Sequence, residues 1–351
     1  MPASHGAWLD GMKVRERPSL AGLNTFGVTA KAGLLLEIEN EEDVLQIPRL
    51  DPSRDLVLGG GSNVLFVDDV PGTVLLNRIG GISILEENAE QALVEVGAGE
   101  SWHGLVSWSV GAGLSGLENL ALIPGLTGAA PIQNIGAYGV ELSSVLDSVT
   151  AWDTQRANWS VLNGAQCGFS YRDSVFKSAH PGRYFITSIC IRLSKQFIPR
   201  LQYAGLVESL HQAGVSQPGP RDVYDAVVAL RRRKLPDPAV QGNAGSFFKN
   251  PVLSRQQFET LLSRFPALPS WILAEDSVKI SAAWMIEQCK LKGHRINGAE
   301  VSTLHALVLV NRGQARGADV WKLAQHVQNA VHDRFGITLE PEPLIYGQAP
   351  N

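Results

Sequence analysis

Three glycine-rich turns in the N-terminal half constrain this chain more than any other feature. They are Gly59-Gly60-Gly61-Ser62-Asn63, Gly97-Ala98-Gly99, and a long run from Ile123-Pro124-Gly125 through Gly128 to Gly136-Ala137-Tyr138-Gly139. Glycine reaches positive φ and carries no Cβ, so such turns let backbone N–H groups converge on an anion and let a flat ring approach the main chain. A tight turn accounts for any single glycine pair. Three turns together, with Ser62, Asn63, Gln133 and Asn134 among them, point to a nucleotide cofactor. The whole chain carries the same mark: 35 of its 351 residues are glycine, above the usual share of about 7%.

The familiar nucleotide motifs are absent. Gly59-Gly60-Gly61 lies between two apolar extended runs, Leu56-Val57-Leu58 and Val64-Leu65-Phe66-Val67, rather than opening a helix, so it is not the dinucleotide fingerprint of a Rossmann unit. There is no GxxxxGK[ST] loop either. A net charge of −4 and a pI near 6.1 leave no footprint for nucleic acid or an acidic membrane surface. Cys167, Cys190 and Cys289 are far apart, which reads as reduced structural thiols, and the eight histidines form no metal-ligand spacing, so no metal site is expected. Met1 to Pro18 contains no apolar h-region, and a cytoplasmic location is expected. The charge-free stretch Asn119 to Val140 contains Pro124, Pro131, Gln133 and Asn134, and reads as a loop system rather than a membrane span.

At roughly 150 residues per domain, the length suits two domains or a little more. Strands are expected at Leu34–Ile38, Leu56–Leu58, Val64–Val67, Ala92–Val96, Ser148–Trp152 and Tyr184–Leu193. Asn40 and Ser101 stand as helix caps. From about residue 221 the texture changes: Val223, Val227 and Leu230 fall at helical spacing, Arg231 to Lys234 end that helix, and Pro236 and Pro238 break the chain. Beyond lie a helix at Ala282–Cys289, a strand at Ala306–Val310, an amphipathic helix from Val320 to Phe335 stopped by Gly336, and a terminal strand Ile337–Glu342.

Chemistry-bearing residues in these segments admit two readings each. Gly242-Asn243-Ala244-Gly245-Ser246 sets one hydroxyl among small residues that a ligand can reach, and the pattern is not a GxSxG elbow. A turn hydroxyl bonding its own backbone explains Ser246 equally well. Arg172 in Ser170-Tyr171-Arg172-Asp173 offers a guanidinium able to clamp a carboxylate, although an ion pair with Asp173 is favoured on the residues alone. Glu342 in Leu339-Glu340-Pro341-Glu342 reads first as a solvated acid. The basic run Arg231–Lys234 is either a solvated helix end or a diphosphate site.

Taken in order, Asn24-Thr25-Phe26, Gly59-Gly60-Gly61-Ser62-Asn63, Gly116-Leu117-Glu118-Asn119-Leu120, Ile123-Pro124-Gly125, Pro131 to Gly139, Ser170-Tyr171-Arg172, Gly245 to Pro251 and Leu339 to Glu342 resemble the UDP-N-acetylenolpyruvoylglucosamine reductases of peptidoglycan synthesis. The resemblance runs from about Leu20 to Tyr346. It implies an α+β fold: a two-subdomain FAD-binding region of the vanillyl-alcohol-oxidase (PCMH) type over 1–80 and 81–230, and a C-terminal α+β substrate-binding domain over 231–335. A terminal strand, 336–351, would return to the flavin.

The family's functional residues fall on matching positions. Gly59, Gly60, Gly61, Ser62, Asn63, Pro124, Gly125, Gln133, Asn134, Gly136 and Ala137 would hold FAD, non-covalently, because the GGGSN turn has no histidine or cysteine. Arg172 would polarise the substrate carboxylate, Glu342 would stabilise the enol form, and Ser246 would be the general acid. Tyr171, Tyr203, Lys234, Asn250 and His305 would contact the substrate, Tyr203 on the loop of the family's longer subtype. His305 stands where that subtype carries a glutamine, and a charged imidazole there would favour a diphosphate. The implied reaction is NADPH-dependent reduction of UDP-N-acetylglucosamine enolpyruvate to UDP-N-acetylmuramate through FAD, by a monomer with small-molecule partners only. A flavin oxidase of the same superfamily and a non-catalytic nucleotide-sugar binder are the competing readings.

Overall fold

The structure is a computed structural model that describes residues 11–347 apart from Ala204; Met1–Asp10 of the N-terminal extension and the last four residues of the terminal segment lie outside it. The chain forms two compact units. One joins the residues up to Pro18, Lys31–Gly60 and Val70–Arg233; the other joins Ser19–Ala30, Gly61–Asp69 and the chain from Lys234 onward.

The first unit holds a four-stranded and a five-stranded sheet, besides the short pair Gly136–Ala137 with Val140–Glu141. Lys13–Glu16, Ala32–Ile38, Val70–Asn77 and Leu56–Leu58 lie side by side in that order, the last three mutually parallel. The second sheet is antiparallel, in the order Asn158–Asn163, Leu146–Asp153, Tyr184–Ser194, Gln91–Gly97, Ile82–Glu87. Val94, Val96, Val149, Ile189 and Ile191 form its buried side, packed with Trp102, Leu105 and Val106 of the helix Trp102–Gly111 and Val223, Val227 and Leu230 of the helix Pro220–Lys234. Ser101 caps the first of these helices, its Oγ accepting from the Gly104 N–H at 3.2 Å. The Asn119–Val140 stretch is the expected loop system, with short 3-10 turns at Glu118–Leu120 and Thr127–Gln133.

In the second unit the helix Gly317–Phe335 buries Val320, Leu323, Val327, Val331 and Phe335. The accompanying sheet has the order Asn243–Ser246, Val308–Asn311, Ala299–Val301, Arg295–Ile296. Gly336 at φ 73° ends the helix by giving its N–H to the His332 carbonyl.

Two expected strands sit elsewhere. The strand expected at Ala306–Val310 runs from Val308 to Asn311, because His305–Val308 forms a turn in which the Val308 N–H bonds the His305 carbonyl. The strand expected at Ile337–Glu342 does not form. Pro341 and Pro343 have no N–H to give a ladder, so the chain makes single bonds there and becomes a strand at Leu344–Tyr346, parallel to Val64–Phe66. The Gly97-Ala98-Gly99 turn also has a packing explanation: a Cβ on Gly97 would lie 2.5 Å from the Ile79 carbonyl oxygen, and one on Gly99 2.6 Å from the Arg78 carbonyl carbon. Those glycines let two backbones cross.

Candidate active site

In the second unit, backbone bonds bring Ser246, Glu342 and the end of the first glycine turn together. Ser246 closes the strand Asn243–Ser246 opposite Val308. The next residues, Phe247 and Phe248, are buried and anchor that strand, with Phe247 edge-on to Phe26 at 6.2 Å. Their outer backbone edge receives the terminal segment: the Glu342 N–H donates to the Phe247 carbonyl at 2.8 Å and the Lys249 N–H to the Glu340 carbonyl at 2.9 Å. Asn63 completes the junction, its Nδ2 donating to the Glu342 carbonyl at 3.3 Å and its own carbonyl accepting from the Leu344 N–H.

Two supports to which the sequence assigns no role, one residue and one short segment, hold this arrangement. Asn243 is buried, its amide donates to the Pro236 and Gln241 carbonyls, and its Oδ1 accepts from the Gly245 N–H. Asn24-Thr25-Phe26 is the other support: the Thr25 N–H bonds the Gly61 carbonyl, and the Thr25 carbonyl takes the Asn243 N–H. One short segment thus fixes both the glycine turn and the serine strand. The approach is so close that a Cβ on Gly61, at φ 62°, would lie 1.9 Å from the Leu23 carbonyl oxygen. Gly61→Ala is therefore expected to cost about 2 to 5 kcal/mol, from left-handed strain plus overpacking, and to release bound flavin. Thermal melting checks the first effect and residual flavin absorbance the second.

In the first unit, the loops chosen for cofactor and substrate carry unusual backbone. Leu122, Asn134, Tyr138 and Arg172 are four of the eight non-glycine residues with positive φ among the described residues. Such conformations cost about 1 to 3 kcal/mol each and persist where surrounding bonds enforce them. Arg172, at φ 58°, sits in a turn closed by reciprocal Ser170–Asp173 backbone bonds. Its Nη2 donates to the Gly136 carbonyl at 2.7 Å, and a Cβ on Gly136 would fall 2.8 Å from Glu141 Cγ and 3.3 Å from Arg172 Nη1. The Asp173 carboxylate meanwhile accepts from the Ser174 N–H and the Ser178 hydroxyl. Tyr171 lies under the guanidinium at 5.6 Å.

Gln133 and Asn134 separate in role. Gln133 Oε1 accepts from Lys177 Nζ at 3.2 Å. Asn134 is 1% exposed, and its amide is spent on Glu141, the Ser170 carbonyl and the Ser143 N–H. Its side chain ties the loop together.

Tyr138 and Tyr203 meet edge to face at 4.7 Å, and Asn119 Nδ2 donates to both the Tyr138 and Arg200 carbonyls. Beside them lies Arg231, which the sequence reading subsumed in a basic run. Arg231 is half-buried, donates from Nε to the Leu122 carbonyl at 3.1 Å and hydrogen-bonds Tyr138. Burial, with Arg172 nearby, holds its pKa below the usual arginine value, yet it remains a cation. The signal was available: Arg231 is four residues after buried Val227 on the same helix face, whereas Arg232, Arg233 and Lys234 are exposed.

These residues fit a bound flavin dinucleotide. The Gly59–Gly61 and Ile123–Gly125 turns approach so closely that a Cβ on Gly60 would lie 3.0 Å from the Gly125 Cα. Main chain rather than side chain therefore faces the space beside them. The chain from residue 33 to 158 matches the model of an FAD binding domain, and from 237 to 346 the C-terminal domain of UDP-N-acetylenolpyruvoylglucosamine reductase. It is 48% identical to the UDP-N-acetylenolpyruvoylglucosamine reductase of Burkholderia vietnamiensis over 93% of this chain and 95% of that one. The chain belongs to the UDP-N-acetylenolpyruvoylglucosamine reductase family. A second relative, from Burkholderia orbicola, is 47% identical over the same shares. The solved reductase of Thermus caldophilus superposes with a TM-score of 0.66 at 27% identity, covering 95% of this chain and 99% of that one. Membership makes the chain an FAD-containing oxidoreductase with an α+β fold, an FAD-binding domain followed by the family's C-terminal domain. Among the described residues no helix is long and apolar enough to cross a membrane, and no cluster of three or more metal-ligating side chains occurs. The three cysteines are free thiols, and burial pushes Cys167 up to about 11.

The surroundings of His305 define what it offers. Its Nδ1 accepts from the Leu307 N–H at 3.2 Å, so the neutral ring carries its proton on Nε2. Burial lowers its pKa, Lys234 and Lys292 lower it further, and Glu287 opposes them. Burial and the two lysines thus disfavour the charged form of the ring. A neutral Nε2–H offers a single donor. Asn250 is partly committed as well: its Oδ1 accepts from the Ala282 N–H, so toward a ligand it acts as a donor.

Burial is likewise the main cause that lowers His103 and His326. With folded values below the unfolded value of about 6.5, the unfolded chain takes up protons first as pH falls. Folding stability is thus fully present above about pH 6.5 and declines below it. Melting temperatures across that range check this, and His305→Gln is expected to make the decline shallower; an unchanged slope contradicts it.

Proposed function

We propose that this protein reduces the enolpyruvyl ether of UDP-N-acetylglucosamine to the corresponding lactyl ether with NADPH, in the cytoplasm, during peptidoglycan precursor synthesis. The observation that carries the reading is the junction of Ser246, Glu342 and Asn63, a hydroxyl, a carboxyl and an amide from three distant stretches tied by backbone bonds. Bound FAD supplies hydride transfer from the nicotinamide to the substrate. Ser62, Asn63, Gln133, Gly136, Ala137 and the Gly59–Gly61 and Pro124–Gly125 main chain would hold it.

The residues of this chain do the remaining work. The Arg172 guanidinium binds the substrate carboxylate and stabilises the negative charge that develops on it. Glu342 steadies the enol form of that carboxyl group, and Ser246 Oγ gives its proton to the carbon bearing the ether oxygen. Arg231, Tyr138, Tyr203 and Lys234 supply cation and hydroxyl donors for the diphosphate. The division into 1–80, 81–230 and 231–335, with the terminal segment from 336 onward serving the flavin site, belongs to this reading, as does action as a monomer.

Product analysis tests it. NADPH consumption is expected to require the enolpyruvyl nucleotide sugar and to yield a product two hydrogens heavier. Consumption that follows oxygen instead, with the sugar unchanged, contradicts the reading and indicates an oxidase.

A further inference from the structure

Lys177 belongs to the segment that carries Arg172, yet nothing so far gives it a task. It lies on a single wide helical turn, Val175–Ala179, of the kind that recurs at functional sites. Ser174 caps that turn, its Oγ accepting from the Phe176 N–H and donating to the Ile132 carbonyl, one residue before Gln133. From there Lys177 Nζ donates to Gln133 Oε1 at 3.2 Å and to the Arg172 carbonyl at 3.3 Å.

The chemistry of the ammonium makes this pair informative. Lysine has three donors and no acceptor, so it can bond only the oxygen end of the Gln133 amide. That choice leaves the NH2 end of Gln133 directed away from Lys177, as a donor. The second bond falls on the carbonyl of a residue held at φ 58°, a conformation that survives only if its surroundings enforce it. The Arg172 side chain is meanwhile bonded to Gly136, three residues after Gln133. One cation therefore fixes the amide face of one loop and the backbone of the other.

We propose that Lys177 is a positioning residue: it orients Gln133 so that the amide presents N–H to the cofactor, and it holds the Arg172 backbone so that the guanidinium is aimed before substrate arrives. The proposal rests on the reading of Gln133 as a cofactor contact and of Arg172 as the carboxylate clamp. It assigns Lys177 no proton transfer and no direct touch on substrate.

The test uses purified full-length holoenzyme. Lys177→Met keeps the stem and removes the donors. It is expected to weaken FAD binding, read by flavin fluorescence, by about ten- to a hundredfold, the worth of a charge-assisted bond, and to slow reoxidation of the reduced flavin by the enolpyruvyl sugar by a similar factor. Lys177→Arg, which restores a donor-only cation, is expected to recover most of both. Gln133→Leu is expected to weaken FAD binding too, and the double variant Gln133→Leu with Lys177→Met to bind FAD no worse than Gln133→Leu alone. If Lys177→Met does not fold, Lys177→Gln takes its place; it keeps a donor but can also accept, so it no longer selects one face of Gln133, and an FAD affinity between wild type and Gln133→Leu is expected.

The outcomes separate. Additive losses in the double variant, or a loss of melting temperature with FAD affinity and both half-reactions unchanged, overturn the positioning role and make Lys177 a structural tie. A Gln133→Leu variant that binds FAD as tightly as wild type instead overturns the reading of Gln133 itself. The Arg172 arm is then judged by Lys177→Met: slowed flavin reoxidation retains it, and an unchanged rate removes it.

Discussion

Ser246→Ala is expected to leave flavin reduction by NADPH at its normal rate and to slow reoxidation by the enolpyruvyl sugar by about 10² to 10⁴, the usual worth of general acid catalysis. The split follows from chemistry. Hydride transfer from NADPH needs no proton from the protein at this position, whereas the substrate's ether-bearing carbon must gain one. The fold does not depend on the hydroxyl. The strand is held by the backbone pair of Ser246 with Val308, the Phe247 N–H on the Leu307 carbonyl, and two buried phenylalanines. Stopped-flow traces of the two half-reactions measure the effect. Equal slowing of both would mean that Ser246 is a structural turn hydroxyl.

Arg172→Met is expected to have an effect of similar size on the same half-reaction, about 10² to 10³, the cost of losing one placed donor to developing negative charge. Substrate affinity should also fall, because a guanidinium clamp contributes to binding before reaction. Methionine keeps the unbranched stem of the side chain and meets the same left-handed backbone, so the variant removes the charge and donors. Arg172→Lys should recover little, since an ammonium does not reproduce the planar fork. A variant that loses only affinity, with an unchanged maximal rate of flavin reoxidation, would limit Arg172 to binding.

Much of this site is legible in the sequence because its chemistry is local. Small residues around Ser246 and clustered glycines describe backbone exposure, and backbone exposure is what a turn needs. What stays hidden depends on which distant segment lies alongside. Gly61 reads as one glycine of three, yet it alone among Gly59–Gly61 has a carbonyl oxygen where its Cβ would be. That oxygen belongs to Leu23, beside the Asn24-Thr25-Phe26 motif, whose purpose no local pattern states. Asn134 reads like its neighbour Gln133, but only the fold shows its amide consumed inside the loop. The terminal strand lies at Leu344–Tyr346, beyond Ile337–Glu342, because Pro341 and Pro343 have no N–H to give a ladder. Arg231 was hidden by company: in a run of four cations, only helix phase singles out the one turned inward.

The family assignment and the site geometry converge on one claim, that a flavin held by the glycine turns passes electrons from NADPH to an enolpyruvyl nucleotide sugar. The most direct measurement is the flavin absorption of the purified protein under anaerobic conditions. A yellow spectrum that bleaches on adding NADPH and returns on adding UDP-N-acetylglucosamine enolpyruvate, without oxygen, is the result predicted. A spectrum that stays bleached with the sugar and returns only with oxygen, or a protein with no flavin spectrum at all, would contradict it.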